Sequence, residues 1–432
     1  MSNIIIVGGG VAGMIAAITA ANKGNKVTIL EKNSELGKKI LITGNGRCNF
    51  TNEYMKGDCY SSSLSCDDET NPNITQEFAD AVLDRFSNKD FIKMLSSLGM
   101  SYYVREGYYY PKTDEARTFR DTLVSEVNRL GIEVVYNFNL RSIVRNEDGF
   151  TLSNKEHEYQ CDKVIIAAGG NAAPKTGSSG DCYYYLEKLG HNIFKAKPVL
   201  TNLKANYPSE LQGVNALACI SIRINNKSLR SNDTTLKSND KALETSEKAL
   251  ETNNTTHKTE KGFIKYYKGM LSGIPIYQLS LEAIPALEQG SKVEITADFV
   301  TDSNIETALQ LQGTTLKEAL YKSINPKIVD VVLKDNNIDP DTLTNNMNAA
   351  DRERIIELFS NVNYEIIGFG GFENAQATLG GVDIREINPQ TMESYICKGI
   401  YFAGEIMDIV GRCGGYNIQW AASTGTIAGI NV

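Results

Sequence analysis

The run Ile4-Ile5-Ile6-Val7-Gly8-Gly9-Gly10-Val11-Ala12-Gly13 leaves this chain few ways to begin folding. Four consecutive β-branched apolar residues suit a central parallel strand buried on both faces. The glycines turn the chain sharply. A helical stretch follows over about Val11–Lys23, then a turn at Gly24-Asn25, then a second strand over Val27–Leu30 that ends at Glu31. In such a βαβ unit Gly8 permits the tight turn and Gly10 lets the backbone approach a pyrophosphate. Gly13 lets the helix lie close to the strand. The helix start, with Ala12 in its first turn, offers N–H groups and a positive dipole end to phosphate. Glu31, 18 residues after Gly13, stands where ribose hydroxyls are expected. Its charge would repel a 2′-phosphate, which favours FAD or NAD over NADP. Lys32 follows it directly.

Two later segments favour FAD. Lys163–Gly170 is a buried strand that ends in small residues, with Ala167, Ala168 and Gly169 placed to return the chain past a cofactor. Gly399–Glu405 is another, and it resembles the strand of two-dinucleotide-fold flavoproteins whose terminal acid, here Glu405 after Gly404, reaches the ribityl or pyrophosphate region of FAD. Beyond it, Gly414-Gly415-Tyr416-Asn417-Ile418 opens a helix that runs to about Gly429. That helix start would hold negative charge at the pyrimidine edge of a reduced flavin. Between the two ends, Gly37–Asn49 contributes Lys39, the close-approach glycines Gly44 and Gly46, and the donors Arg47 and Asn49. Cys48 is read as a packing residue, with a redox thiol as the alternative; Cys413 is read as a variable loop residue.

Composition narrows the class. The 432 residues carry a net charge of −8, with 41% hydrophobic and 22% charged residues. These values fit a globular protein and argue against binding nucleic acid by bulk charge. No stretch of 18 apolar residues suggests a membrane span, and the N-terminus enters a strand directly instead of a signal peptide. Eight cysteines show no Cys-x-x-Cys spacing and the three histidines are scattered, so no metal site is expected. A cytoplasmic protein with free thiols is the expectation.

The motifs together resemble one flavoprotein family, the aminoacetone-oxidase-like NAD(P)/FAD-dependent oxidoreductases. The matching pieces are GGGVAGMIAA (8–17), GKKILITGNGRCNFTN (37–52), REGYYYPKTDEA (105–116), IIAAGGNAAPKTGSSGDCYYYLEKLGH (165–191), KPVLTNL (197–203), SGIPIYQLS (272–280), GGVDIREINPQTMES (380–394) and GIYFAGEIMDIVGRCGGYNIQWAASTG (399–425). The resemblance implies an α/β fold. A Rossmann-like FAD-binding domain is formed by both chain ends, residues 1–195 and 372–432. A β-barrel-like plus helical substrate domain, residues 196–371, is inserted between them. It also implies backbone contact to adenine near Leu140. Members include a bile-acid enone reductase, a ribosomal RNA dihydrouridine synthase and amine oxidases. The expected function is therefore transfer of hydride from NAD(P)H, through FAD, to a conjugated C=C or C=N bond of a small organic substrate. Ribosomal RNA as substrate and amine oxidation are the alternatives. This sequence departs from the family pattern at Phe263–Gly273, which lacks the usual Thr-His pair.

No second Gly-x-Gly-x-x-Gly follows a strand, so NAD(P)H is expected to visit the flavin face transiently. No side chain stands out as a catalytic acid or base, and the oligomeric state is open. Helices are expected over Glu77–Phe86, Asp90–Leu98, Thr118–Leu130, Ile305–Ile324, Ile328–Asp335 and Asp351–Asn361, the last three within a helical part at 302–362. Strands are expected over Gly131–Arg145, Ala218–Asn225 and Lys292–Phe299. Residues 226–261 contain a near-tandem heptad, KALETSE and KALETNN, and lack aromatics. They are expected to form a mobile surface loop.

Overall fold

The computed structural model describes residues 1–66, 71, 73–225 and 255–432. These fall into two compact units, residues 1–199 with 372–432, and residues 200–371.

The first unit is built on a five-stranded parallel sheet: β1 (Asn3–Val7), β2 (Lys26–Leu30), β3 (Glu133–Val135), β4 (Lys163–Ile166) and β5 (Ile400–Phe402), in the order β5-β4-β1-β2-β3. β1 lies at the centre, with Ile5 opposite both Thr28 and Val164. Ile4, Ile5 and Ile6 are at most 1% exposed, which is why these positions are apolar on both faces. Helix α1 (Val11–Asn22) follows β1, and helix α2 (Tyr416–Asn431) closes the chain.

The two helices meet at backbone distance. A Cβ on Gly425 would stand 2.5 Å from the Ala12 carbonyl oxygen, and one on Gly429 would stand 2.6 Å from that of Ala16. On its other side α1 presses on the turn after β1, where a Cβ on Gly13 would stand 1.9 Å from the Gly8 carbonyl oxygen. α1 is thus held between the turn and the last helix without an intervening side chain. A three-stranded antiparallel sheet (142–145, 150–153, 158–161) enters β4, and strands 193–199 and 377–382 pair antiparallel.

The second unit is a closed six-stranded barrel: 203–205, 270–272, 255–267, 215–225, 292–298 and 362–369, the last pairing back to the first. A helix over Ile274–Glu288 packs against the barrel strands, with Ile276, Leu279, Ala283 and Ile284 fully buried. Shorter helices lie between 305 and 360.

Three expectations need correction. The helix expected over Ile305–Ile324 is broken into 305–308 and 316–320. Gly313 adopts φ +66°, and Thr315 begins a new helix by a reciprocal cap with Glu318. The local cap outweighs the apolar periodicity. The strand expected over Gly131–Arg145 is two short strands, 133–135 and 142–145, interrupted at Asn137 with φ +57°. In the segment expected to be a mobile loop, residues 255–261 form the start of a long strand paired with 219–225. The ladder satisfies backbone groups that the polar composition gave no reason to pair. Residues 226–254, including both heptads, lie outside the described residues.

The contact between α1 and α2 makes a direct prediction. Gly425→Val adds a branched side chain where even a Cβ has no room, so it lowers stability by roughly 1–3 kcal/mol or more. Urea unfolding of the purified protein measures this, and an unshifted midpoint would show that the helices separate at no cost.

Candidate functional site

A deep groove in the first unit runs along the carboxyl ends of the parallel strands. It begins where β2 ends. Glu31 is 6% exposed and held by three donors: the Gly9 N–H, the Asn33 N–H and the Asn33 side-chain amide, each at 2.7 Å. Two carboxylate oxygens can accept about four hydrogen bonds, so the group retains acceptor capacity toward the groove.

The start of α1 faces the same space. Its N-cap, Gly10, has extended backbone and supplies no side-chain cap. A Cβ on Gly10 would meet nothing within 4 Å, in contrast to the tight fit at Gly8 and Gly13. This glycine is therefore not needed for packing, and it keeps the approach to the helix N-terminus open. The first N–H groups of α1 are left for a ligand or water.

Farther along, Lys39 and Glu405 line the groove as an ion pair at 2.9 Å, and Glu405 also accepts the Thr378 N–H at 2.8 Å. Gly404 turns beneath them with φ +77°, its N–H donated to the Thr424 hydroxyl at 2.9 Å. A Cβ on Gly404 would stand 2.9 Å from that of Ala12, so glycine is required. The far end is formed by α2. Its N-cap, Gly415, is left-handed and again carries no side-chain cap, and Asn417 and Ile418 line the groove.

Of the residues expected from the sequence, the groove brings together Gly8, Gly10, Ala12, Glu31, Lys32, Lys39, Leu140, Ala167, Ala168, Gly169, Gly404, Glu405, Asn417 and Ile418. Gly13, Gly46, Arg47, Cys48, Asn49, Gly415 and Tyr416 are not part of its lining. Gly13 serves helix packing. Arg47 is half-exposed beside Asp114 at 3.4 Å. Cys48 is fully buried, and burial pushes its thiol up to about 12, so it is inert as a nucleophile. Gly415 lies against the Thr51 backbone, 2.8 Å from where its Cβ would stand. The Tyr416 ring packs edge-on against Tyr60, with ring centroids 6.1 Å apart.

Other lining residues were not anticipated: Asn33, Thr43, Ser178, Ser179, Asp181 and Gln376. Lys32 pairs with Asp181 at 3.1 Å and bonds Ser179. The tract Lys175–Asp181 is rich in Gly and Ser, a composition that permits close backbone approach to a ligand. No local pattern singles out Gln376.

One motif from the sequence proves structural. Ser394, at the end of Thr391-Met392-Glu393-Ser394, stands 3.1 Å from Nε2 of His191, whose Nδ1 lies 2.9 Å from Glu386. These are the residue types and order of contacts of a nucleophile triad. Yet Ser394 is 2% exposed and its oxygen accepts the N–H groups of Ile396 and Cys397. The network ties the start of 193–199 to the loop before β5. Among the described residues, no group of three or more His, Cys, Asp or Glu could hold a metal ion, and no helix is long and apolar enough to cross a membrane.

The model of the HI0933-like protein Rossmann domain matches residues 2–431. The chain belongs to the HI0933-like family. It is 30% identical over 441 aligned positions to the 3-dehydro-bile acid delta(4,6)-reductase of Clostridium scindens, covering 99% of this chain and 98% of that protein. It is 29% identical to the ribosomal RNA dihydrouridine synthase of Escherichia coli, covering 97% and 95%. The protein of the same name from Haemophilus influenzae is 25% identical, covering 100% and 98%. Membership makes the chain an oxidoreductase of the Rossmann type.

Burial of His191 sets a pH dependence. Burial lowers its affinity for a proton, and the Glu386 carboxylate offsets this only in part. The folded state resists protonation while the unfolded chain protonates near pH 6.5. The stability this creates is fully present above that pH and is lost as pH falls through it, by at most about 1.4 kcal/mol per pH unit. His191→Gln therefore shows a shallower loss of unfolding midpoint between about pH 7 and 5. An equal slope in both proteins would rule this out.

Proposed function

We propose that this chain is an FAD-dependent reductase that uses NAD(P)H to reduce a conjugated C=C or C=N bond of a small organic substrate. The observation that carries the reading is the open space at Gly10, on a groove that continues from the Glu31 carboxylate to the start of α2. A groove with an acceptor at one end and uncapped helix starts at two points fits a dinucleotide with an electron-rich ring system at the far end. The two full-length relatives named as a reductase and a dihydrouridine synthase support the reaction class.

In this reading Glu31 accepts the ribose hydroxyls of the ADP half, oriented by Gly9 and Asn33. The N–H groups at the start of α1 hold the pyrophosphate, with Gly8, Ala12, Ala167, Ala168 and Gly169 closing around it. Leu140 lies by the adenine. Lys39 and Glu405 bind the middle of the cofactor, and Asn417 and Ile418 bring the start of α2 to the flavin half. When bound, FAD supplies two-electron transfer between a hydride donor and an acceptor. The chain supplies binding, orientation and a positive potential at the far end of the groove.

A second reading, dihydrouridine formation in ribosomal RNA, is favoured by the two relatives of that name, which this chain matches over nearly its whole length.

Nucleotide released by heating the purified protein tests the cofactor. FAD is expected, at one per chain. Gly10→Ala keeps an allowed backbone and meets no neighbour, so it folds normally. It fills the approach to the pyrophosphate and weakens FAD binding about tenfold or more. Wild-type FAD content in this variant would refute the placement. Anaerobic oxidation of NADH or NADPH, with conjugated enones or protein-free ribosomal RNA as acceptor, separates the two substrate readings. Turnover of neither, with flavin reduction by a primary amine, would point to amine oxidation instead.

A further inference from the structure

The tract Gly411-Arg412-Cys413-Gly414-Gly415-Tyr416-Asn417 presents Asn417 as a direct contact to a flavin. The structure gives its side chain a different task. The Asn417 Oδ1 accepts the Gly411 N–H at 2.8 Å, and its Nδ2 donates to the Gly411 carbonyl at 2.9 Å. One side-chain amide thus satisfies both backbone groups of one residue, as a neighbouring strand would. Gly411 is itself in a two-residue strand, 410–411, paired with Tyr60–Ser61. The Tyr60 hydroxyl donates to the Tyr416 carbonyl at 3.0 Å. On the opposite side Thr51 donates to the fully buried Gln419 at 2.6 Å. The first turn of α2 is therefore fixed from Gly411, Tyr60 and Thr51 at once.

The arrangement has an electrostatic consequence. An asparagine in the first turn could otherwise fold back over the uncapped N–H groups. Tied to Gly411, it cannot. The first-turn N–H groups of α2 stay without a side-chain cap, and Asn417 and Ile418 still line the groove. We infer that Asn417 is a positioning residue: by holding Gly411 it aims the start of α2 at the flavin half of the groove and sets how strongly that end favours added negative charge. This rests on the FAD reading above.

Asn417→Ala removes the tie. Asn417→Asp keeps the shape but sets a carboxylate oxygen against the Gly411 carbonyl and places a negative charge on the helix start. Two measurements are made on the full chain. Deuterium uptake of the 409–418 segment, without added cofactor, should rise in both variants while the melting temperature shows that they remain folded. The midpoint potential of bound FAD should become more negative, more so in Asn417→Asp. The corresponding loss in the equilibrium for flavin reduction is about two- to fivefold, the range expected for a charge at a helix end. Tyr60→Phe removes one hydroxyl from the same clamp and gives the same test, with the same direction, should the Asn417 variants not fold. Folded variants with unchanged uptake and unchanged potential overturn the inference and leave the FAD reading standing. A wild-type protein that takes up no FAD overturns both.

Discussion

The first unit depends on a contact that no side chain could make. Helix α1 lies between the turn after β1 and helix α2 with carbonyl oxygens where Cβ atoms would otherwise stand, at Gly13, Gly425 and Gly429. Dispersion weakens steeply with separation, so backbone-to-backbone contact of this kind packs two elements more tightly than any apolar pair between them. Its price is specificity of sequence, since each position admits only glycine. The contact also joins the two ends of the chain. Residues 1–199 and 372–432 form one compact unit because the last helix completes the seat of the first.

That seat fixes the electrostatics of the groove. α1 ends its N-terminus at Gly10, where nothing fills the space a side chain would take, and α2 begins at Gly415, again with no cap. Uncapped helix starts are ordinarily a cost to the fold. Here both face one groove, and rigid packing holds them there. The opposite sign is supplied by Glu31, which three donors orient before any ligand arrives. Partial positive charge and a preset acceptor are thus both presented to the same groove.

Much of this was legible because it is local. The β1–α1–β2 unit and Glu31 sit within one stretch of about thirty residues, and hydrophobic periodicity and glycine spacing read such stretches well. The strands at 163–166 and 400–402 were legible for the same reason. What was not legible depends on which of several competing contacts a residue makes, near or far in sequence. Asn417 lines the groove as expected, but its tie to both backbone groups of Gly411 has no sequence signal. The helix expected over Ile305–Ile324 fails at Gly313 and Thr315, where a cap competes with an apolar stripe and wins. Residues 255–261 read as loop from composition alone, yet they pair with 219–225. A strand on an antiparallel ladder takes its stability from its neighbour, and polar residues suit its outward face.

Ser394, His191 and Glu386 show why residue types alone do not identify chemistry. Their contacts have the connectivity of a hydrolytic relay. Nucleophilic catalysis also requires that the nucleophile reach a substrate and that its oxygen be free to attack. Ser394 fails both requirements, because it is buried and its oxygen already accepts two N–H groups. The groove offers the reverse. It has access, an oriented acceptor and two open helix starts. The form of the groove is set in turn by the glycines that seat α1.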